Sequence, residues 1–459
     1  MSSLETKSVP PRETPRPIAP NSQTTSYRLA LGFGTTVLMW AIGYISRIPP
    51  VWVPSALLVA LLLAAQILGG WCAGRFSPDG TRAGLWVGGV SALLNLLVMG
   101  SLLTAHEPNQ IVPSALLWLP GSIAIGLACG AIGGGLGNRN RAGGPVARSI
   151  HPADHLDQRS WTSIFALVAA TATFFLLIVG GVVTSQKAGL AVVDWPNSYG
   201  YMMFLYPLSK MSGGIYFEHA HRLFGSLVGL TTLVLTVHLW RVESRAWVKR
   251  FALGALVSVI VQGILGGLRV TGRFTLSDDP TQTAPNLALA VIHGVFGQVF
   301  FGMLVALAVV TAPAWSASGL ATPAASRRTD QRLSAWFVSA LIVQLVFGAI
   351  LRHFSYGTLI HILMACVVFA LGLVTALRAH ASDHPDSLLR RLGGALLAVL
   401  TLQLTLGIAA LGVTALAGGA DPPPAYEVVV TTAHQATGAF LLALSVAHLV
   451  WVRRPASML

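Results

Sequence analysis

Four histidines, His221, His293, His361 and His434, recur along the chain at matched positions. From His221 to His293 is 72 residues (293 − 221), and from His361 to His434 is 73 (434 − 361). Each opens a long apolar run, and three follow a Gln-x-x-x-Gly run: Gln262 to Gly266, Gln344 to Gly348 and Gln403 to Gly407. Gly266 to His293 and Gly407 to His434 are both 27 residues (293 − 266 and 434 − 407). This is an internal repeat, and it divides the region into two halves with two histidines each. Two imidazoles facing one another across a helical bundle can hold a heme iron from both sides. One histidine in an apolar helix is more often a packing residue bonded to a neighbouring helix. Four at matched depth, in a medium where polar groups are costly, point to a site instead. Zinc is the competing metal, but zinc sites usually add cysteine or carboxylate ligands. Only the first site offers a carboxylate, Glu218, so heme is preferred.

The other histidines fit less well. His219 points about 160° away from His221 on the same helix. His353 lies in the tight turn before the tenth apolar run and competes with His361, which keeps the repeat spacing. His238 and His448 sit near inner helix ends, where an interfacial role suffices. His106, His151, His155, His380 and His384 are expected in loops.

These residues need helices to position them. Of the 459 residues, 54% are hydrophobic and 10% charged, which no soluble domain matches. Apolar runs of about 20 residues recur, as in an all-α polytopic membrane protein. Twelve spans are expected near 29–47, 51–73, 83–103, 113–137, 162–184, 218–240, 251–268, 287–311, 334–351, 356–377, 392–416 and 428–452. The net charge of +13 is not a nucleic-acid footprint. With the N-terminus inside, 22 of the 29 Lys and Arg residues fall in inner segments, a positive-inside pattern. It places the chain in a cell's inner (plasma) membrane with both termini cytoplasmic. Cys72, Cys129 and Cys366 all fall within expected spans, so no disulfide is expected.

Residues 1–28, rich in Pro, Ser and Thr, read as a disordered inner tail. Residues 29–137 read as an accessory four-helix membrane domain, glycine-rich at Gly130, Gly133, Gly134 and Gly135. Two pseudo-symmetric four-helix bundles follow, at 161–311 and 332–453. In each hairpin a glycine motif precedes the histidine: Gly180 and Gly181, Gly266 and Gly267, Gly348, and Gly407. The missing side chains are expected to leave room for a flat macrocycle.

The halves are not equal. The first histidine helix reads Phe-Glu-His-Ala-His-Arg (217–222), whereas the third reads Gly-Thr-Leu-Ile-His-Ile (357–362). Glu218 shares a helix face with His221 and lies four residues from Arg222. It can be a helix-end partner of Arg222, or a carboxylate beside the iron that handles protons; the residues alone support both. A long outer loop, 185–217, also belongs only to the first half. It contains Gly-Leu-Ala-Val-Val-Asp-Trp-Pro (189–196) and several aromatics, suited to a lid or to an interfacial belt.

The run Leu-Ile-Val-Gly-Gly-Val-Val-Thr, then Gly-Leu-Ala-x-x-Asp-Trp-Pro and Glu-x-x-His-Arg, resembles the heme A synthase family of cytochrome oxidase assembly. The later Gln-x-x-Leu-Gly-Gly, His293, His361, and His434 with Gln435 fit too. The resemblance covers about 162–452. It implies oxidation of the C8 methyl group of heme O to a formyl group. It implies that His221 and His293 bracket the substrate heme O, with Glu218 as the catalytic residue beside them, and that His361 and His434 ligate a heme b cofactor. A heme O synthase would supply the substrate and an external electron donor the electrons, since no ferredoxin-type cysteine cluster or nucleotide motif is present. Many family members carry a cysteine pair in an outer loop, and this chain departs from them there.

Two other classes share some of these features. A di-heme b-type membrane electron-transfer protein would use the same four histidines, but stacked across one bundle rather than side by side in two. A transporter or assembly scaffold would use them only for packing, and would carry no Soret band.

Overall fold

The computed structural model describes residues 20–49, 51–77, 79–104, 107–142, 158–272, 286–317, 324–381 and 387–454. Among them there are thirteen α-helices: α1 (Pro20–Arg47), α2 (Ser55–Phe76), α3 (Gly80–Leu103), α4 (Ala115–Ala142), α5 (Gln158–Ser185), α6 (Gly213–Val242), α7 (Ala246–Thr271), α8 (Leu287–Thr311), the single turn α9 (Pro313–Ala317), α10 (Ala324–Phe354), α11 (Thr358–Ala381), α12 (Ser387–Ala417) and α13 (Ala425–Val452). Twelve of these are long and apolar enough to cross a membrane, and each overlaps one of the twelve expected spans. The chain is a multi-pass helical membrane protein.

Several helices run past the expected ends. α1 begins at Pro20, so the last part of the expected tail is helical; residues 1–19 lie outside the described residues. Where an apolar run has no Pro or Gly at its end, the backbone hydrogen bonds simply continue into the polar flank. Where a signal exists the helix obeys it. α7 stops at Gly272 in the left-handed region (φ 68°), and Asn286 caps α8 by accepting from the Leu289 N–H at 2.9 Å.

α5 to α8 form one four-helix bundle and α10 to α13 the other. α13 also packs on α5 and α8, and α10 on α8, so the halves share an interior. Phe337, Leu341, Leu396, Leu400, Leu441 and Leu442 fill the second bundle. Leu227, Leu235, Leu304 and Leu307 fill the first.

The four N-terminal helices are held differently. Lipid tails are as apolar as leucine, so helices associate in a membrane through close packing. Gly70 and Gly74 of α2 and Gly84 and Gly88 of α3 all meet the α4 backbone at Gly126, Gly130 or Gly134. A Cβ at any of these positions would run into that backbone. α1 is tied to the rest by rings: Tyr27 against Trp161, Phe33 against Phe165, and Tyr44 against Phe175, Tyr216 and Phe224. The accessory helices are therefore seated on α5 and α6 through α1.

Gly130→Val should separate α4 from α2 and α3, because overpacking against main chain cannot be relieved by a rotamer change; about 1–3 kcal/mol is the ordinary cost. Thermal unfolding of purified protein in one detergent is the check. Gly43→Val, where a Cβ meets nothing within 4 Å, is the control. Equal Tm values for the two variants would mean that the glycine seam does not hold this unit together.

Candidate functional site

The tertiary structure brings the four histidines into two pairs. The His221 and His293 ring centroids lie 6.3 Å apart with planes at 77°, and those of His361 and His434 6.5 Å apart at 81°. A metal–imidazole bond of about 2 Å on each side, plus roughly 1.2 Å from nitrogen to ring centre, gives about 6.4 Å between centroids. Both pairs thus have the spacing that two imidazoles sharing one metal ion would need.

The glycines lie directly against the histidines. A Cβ at Gly180, Gly266, Gly348 or Gly407 would lie 3.0, 3.2, 3.1 or 3.1 Å from Cε1 of His221, His293, His361 or His434 respectively. Each glycine receives the imidazole of the next helix. The ring is so large and the helices so close that a side chain there would push the histidine off its partner. Where the glycine is doubled, the second serves another neighbour. Gly181 meets Gln435 of α13, and Gly267 meets the Trp195 indole, which a Cβ there would strike.

The glutamines complete the motif. Gln262 Nε2 donates to the His293 carbonyl at 2.6 Å, and Gln344 Nε2 to the His361 carbonyl at 3.1 Å. Gln344 Nε2 also lies 3.2 Å from Nδ1 of His361. Nδ1 of His221, His293 and His434 is buried without a hydrogen bond of good geometry. The main chain of Leu176, Gln262 or Gln403, four residues before the respective glycine, lies beside each of these imidazoles. A ring nitrogen turned to the main chain leaves the opposite nitrogen for a metal. Donor type, spacing and the glycine seats all fit heme ligation.

The two pairs differ in what surrounds them. Glu218 is buried, accepts from Arg222 Nε through Oε1 at 3.2 Å, and has no partner for Oε2. The pairing with Arg222 thus has a structural counterpart on one carboxylate oxygen, while the other is buried without a partner. Arg222 also fastens the outer loop. Its Nη1 donates to the carbonyls of Asp194 (2.6 Å) and Asn197 (3.0 Å), and its Nη2 to that of Val192 (2.9 Å). Asp194 accepts from the Tyr199 and Gly200 amides at 2.7 and 2.9 Å, both residues having positive φ. Val192, Asp194 and Ser198 are fully buried, whereas Leu190, Met202 and Leu208 are exposed, so the loop is packed onto the bundle and still presents apolar side chains outward. The Arg269 guanidinium rests on Gly189 and is within electrostatic reach of Glu218, His221 and His293.

The remaining histidines are placed as follows. His219 turns away to Ser198 Oγ (3.1 Å) and the Tyr206 ring (4.9 Å). Burial, with Tyr199 and Tyr201 nearby, pushes the Tyr206 hydroxyl up to about 12, so it stays neutral there. His353 is in the last turn of α10 rather than in a turn beyond it, and its electrostatic neighbours are Arg269 and Arg352. It belongs beside the first pair and is not the partner of His434. His238 and His448 are buried near the ends of their helices and bonded to Ser26 (3.0 Å) and Ser334 (2.9 Å). His380 is in α11, not a loop; His106, His151, His155 and His384 lie outside the described residues.

Sequence reasoning missed the seam between the halves. Arg352 donates to Ser185 Oγ at 2.7 Å, Ser185 Oγ lies 3.1 Å from the Thr432 hydroxyl, and Gln435 donates to the Leu177 carbonyl at 3.3 Å. Only the adjacency of Gln435 to His434 singled out any of these residues.

The fold and site define a multi-pass helical membrane protein with two intramembrane histidine pairs, one of them beneath a packed loop. Residues 163–359 match the family model described as cytochrome oxidase assembly protein. The match takes in Glu218, His221, Arg222 and His293; it ends two residues before His361 (361 − 359). No curated protein matches the chain.

Proposed function

We propose that the protein is a heme A synthase, oxidising the C8 methyl group of heme O to a formyl group. His221 and His293 bracket the substrate heme O, and His361 and His434 ligate a heme b cofactor. The observation that carries this reading is the inequality of two otherwise matched histidine pairs. Both have ligand spacing, but only the first has a carboxylate with a free oxygen, an arginine clamp and a cover. The family match over that same segment supports it. A symmetric electron-transfer protein has no use for such a difference.

A heme iron supplies the oxidising power that a methyl carbon requires and side chains lack. The residues of this chain do the rest. Arg222 holds Glu218 Oε1, which turns Oε2 toward proton exchange. The same guanidinium ties residues 192–197 across the site and so limits water. Arg269 offers positive charge to an anionic substrate rim. With dioxygen as the oxidant and oxygen source, an external donor would deliver the electrons that reduce its remaining oxygen to water, and a heme O synthase would deliver substrate.

Extraction of the bound hemes with mass analysis tests this reading. Heme b together with heme O or heme A is the expected yield. Purified protein containing heme b alone after expression with heme O present would favour the electron-transfer reading.

The orientation that goes with it puts both pairs toward the outer face, opposite the Arg-rich segments. A cysteine placed at Ala420, in the exposed turn after α12, should label with an impermeant maleimide in intact cells. Labelling only after lysis would reverse the topology.

A further inference from the structure

We propose that Thr104 and Asn109, in the connection from α3 to α4, are positioning residues for the loop that covers the first histidine pair. The N-terminal helices lie outside the family match, which begins at residue 163. Yet the end of α3 and the residues after it grip the loop at four successive points. Asn109 Oδ1 accepts from the Met202 N–H at 2.7 Å, and its Nδ2 donates to the Gly200 carbonyl at 3.4 Å. One side-chain amide thus pairs with both flanks of Tyr201, as a neighbouring strand would. Asn109 has a φ of 63°, a conformation asparagine tolerates better than most residues. The Thr104 hydroxyl is shared between the carbonyls of Gly100 and Leu205. Ser101 Oγ donates to the Phe204 carbonyl at 3.4 Å. At Gly100 the helix comes so close that a Cβ would strike the Phe204 carbonyl.

The gripped segment leads directly to the site. Ser198 and Tyr201 exchange backbone hydrogen bonds of 2.9 and 3.1 Å. Asp194 holds the Tyr199 and Gly200 amides, and Arg222 holds Val192, Asp194 and Asn197 while bonded to Glu218. Releasing 200–205 removes the fastening that the α3–α4 connection gives the cover and leaves only the contacts made from α6 and within the loop. The added helices therefore act on the first site by fixing its cover. This consequence for the site rests on the reading of His221 and His293 as the substrate pair.

The test uses full-length Asn109→Ala and Thr104→Val in detergent, with hydrogen exchange followed over residues 196–206 and over α6. Asn109 is exposed and Thr104→Val removes only a hydroxyl, so folding should survive. Loss of one or two hydrogen bonds should speed exchange across 200–206 by roughly fivefold to tenfold, with α6 unchanged. Asn109→Asp keeps the acceptor for Met202 and should restore protection of that amide. The first-site heme spectrum should also shift as the cover loosens, while the second-site spectrum stays. The exchange arm needs no heme, so it stands whatever the first pair binds. Unchanged exchange in both variants overturns the grip. Faster exchange with an unaltered first-site spectrum overturns the positioning role.

Discussion

Replacing His361 or His434 by alanine should strip heme b from the protein and leave the first pair in place. The two rings stand 6.5 Å apart, each seated on its own glycine, so neither can shift to replace the other. His353 cannot substitute, because it sits with Arg269 beside the first pair. Loss of a residue that merely supports a metal ligand costs about 10–100-fold in affinity; loss of the ligand itself should cost more than that. Single variants should therefore purify with a low-spin heme b band reduced to background. Pyridine hemochrome analysis of equal amounts of protein is the check. Unchanged heme b in both variants would show that this pair is a packing pair, and the scaffold reading would gain.

Glu218→Gln should halt conversion without emptying either site. Gln keeps the shape of the side chain and can still accept from Arg222, so the 3.2 Å contact and the loop fastening survive. What is lost is the ionisable oxygen, Oε2, which has no partner of its own. A positioned general base or acid contributes roughly 10²–10⁴-fold, so the expected result is a large excess of heme O over heme A at normal protein level. The ratio in membranes of a strain dependent on this protein reports it directly. Arg222→Lys should also lower conversion, but through the loop. A lysine cannot reach three carbonyls and a carboxylate at once, so its defect should come with faster loop exchange, unlike that of Glu218→Gln. A ratio unchanged in Glu218→Gln would leave the carboxylate as a helix-end partner of Arg222 and nothing more.

Much of this was legible along the chain, because a membrane forces local rules. Backbone groups must be satisfied within each span, so apolar runs became helices at all twelve places. The 72- and 73-residue spacings placed the four histidines on equivalent helices, and helix geometry turned His219 away from His221. The asymmetry at Glu218 and Arg222 could be read from six residues. What no local rule carries is which groups meet across the fold. Glycine four residues after glutamine marks close approach, but only packing revealed that the imidazole itself fills the gap. His353 is near His361 in sequence, yet it lies within electrostatic reach of His293 and Arg269 in the first half. Arg222 gathers carbonyls up to 30 residues away (222 − 192), and Asn109 reaches across 93 residues to Met202. These contacts depend on where two long helices and an irregular loop come to rest. Spacing fixed the donors on their helices; tertiary packing alone decided what each donor faces.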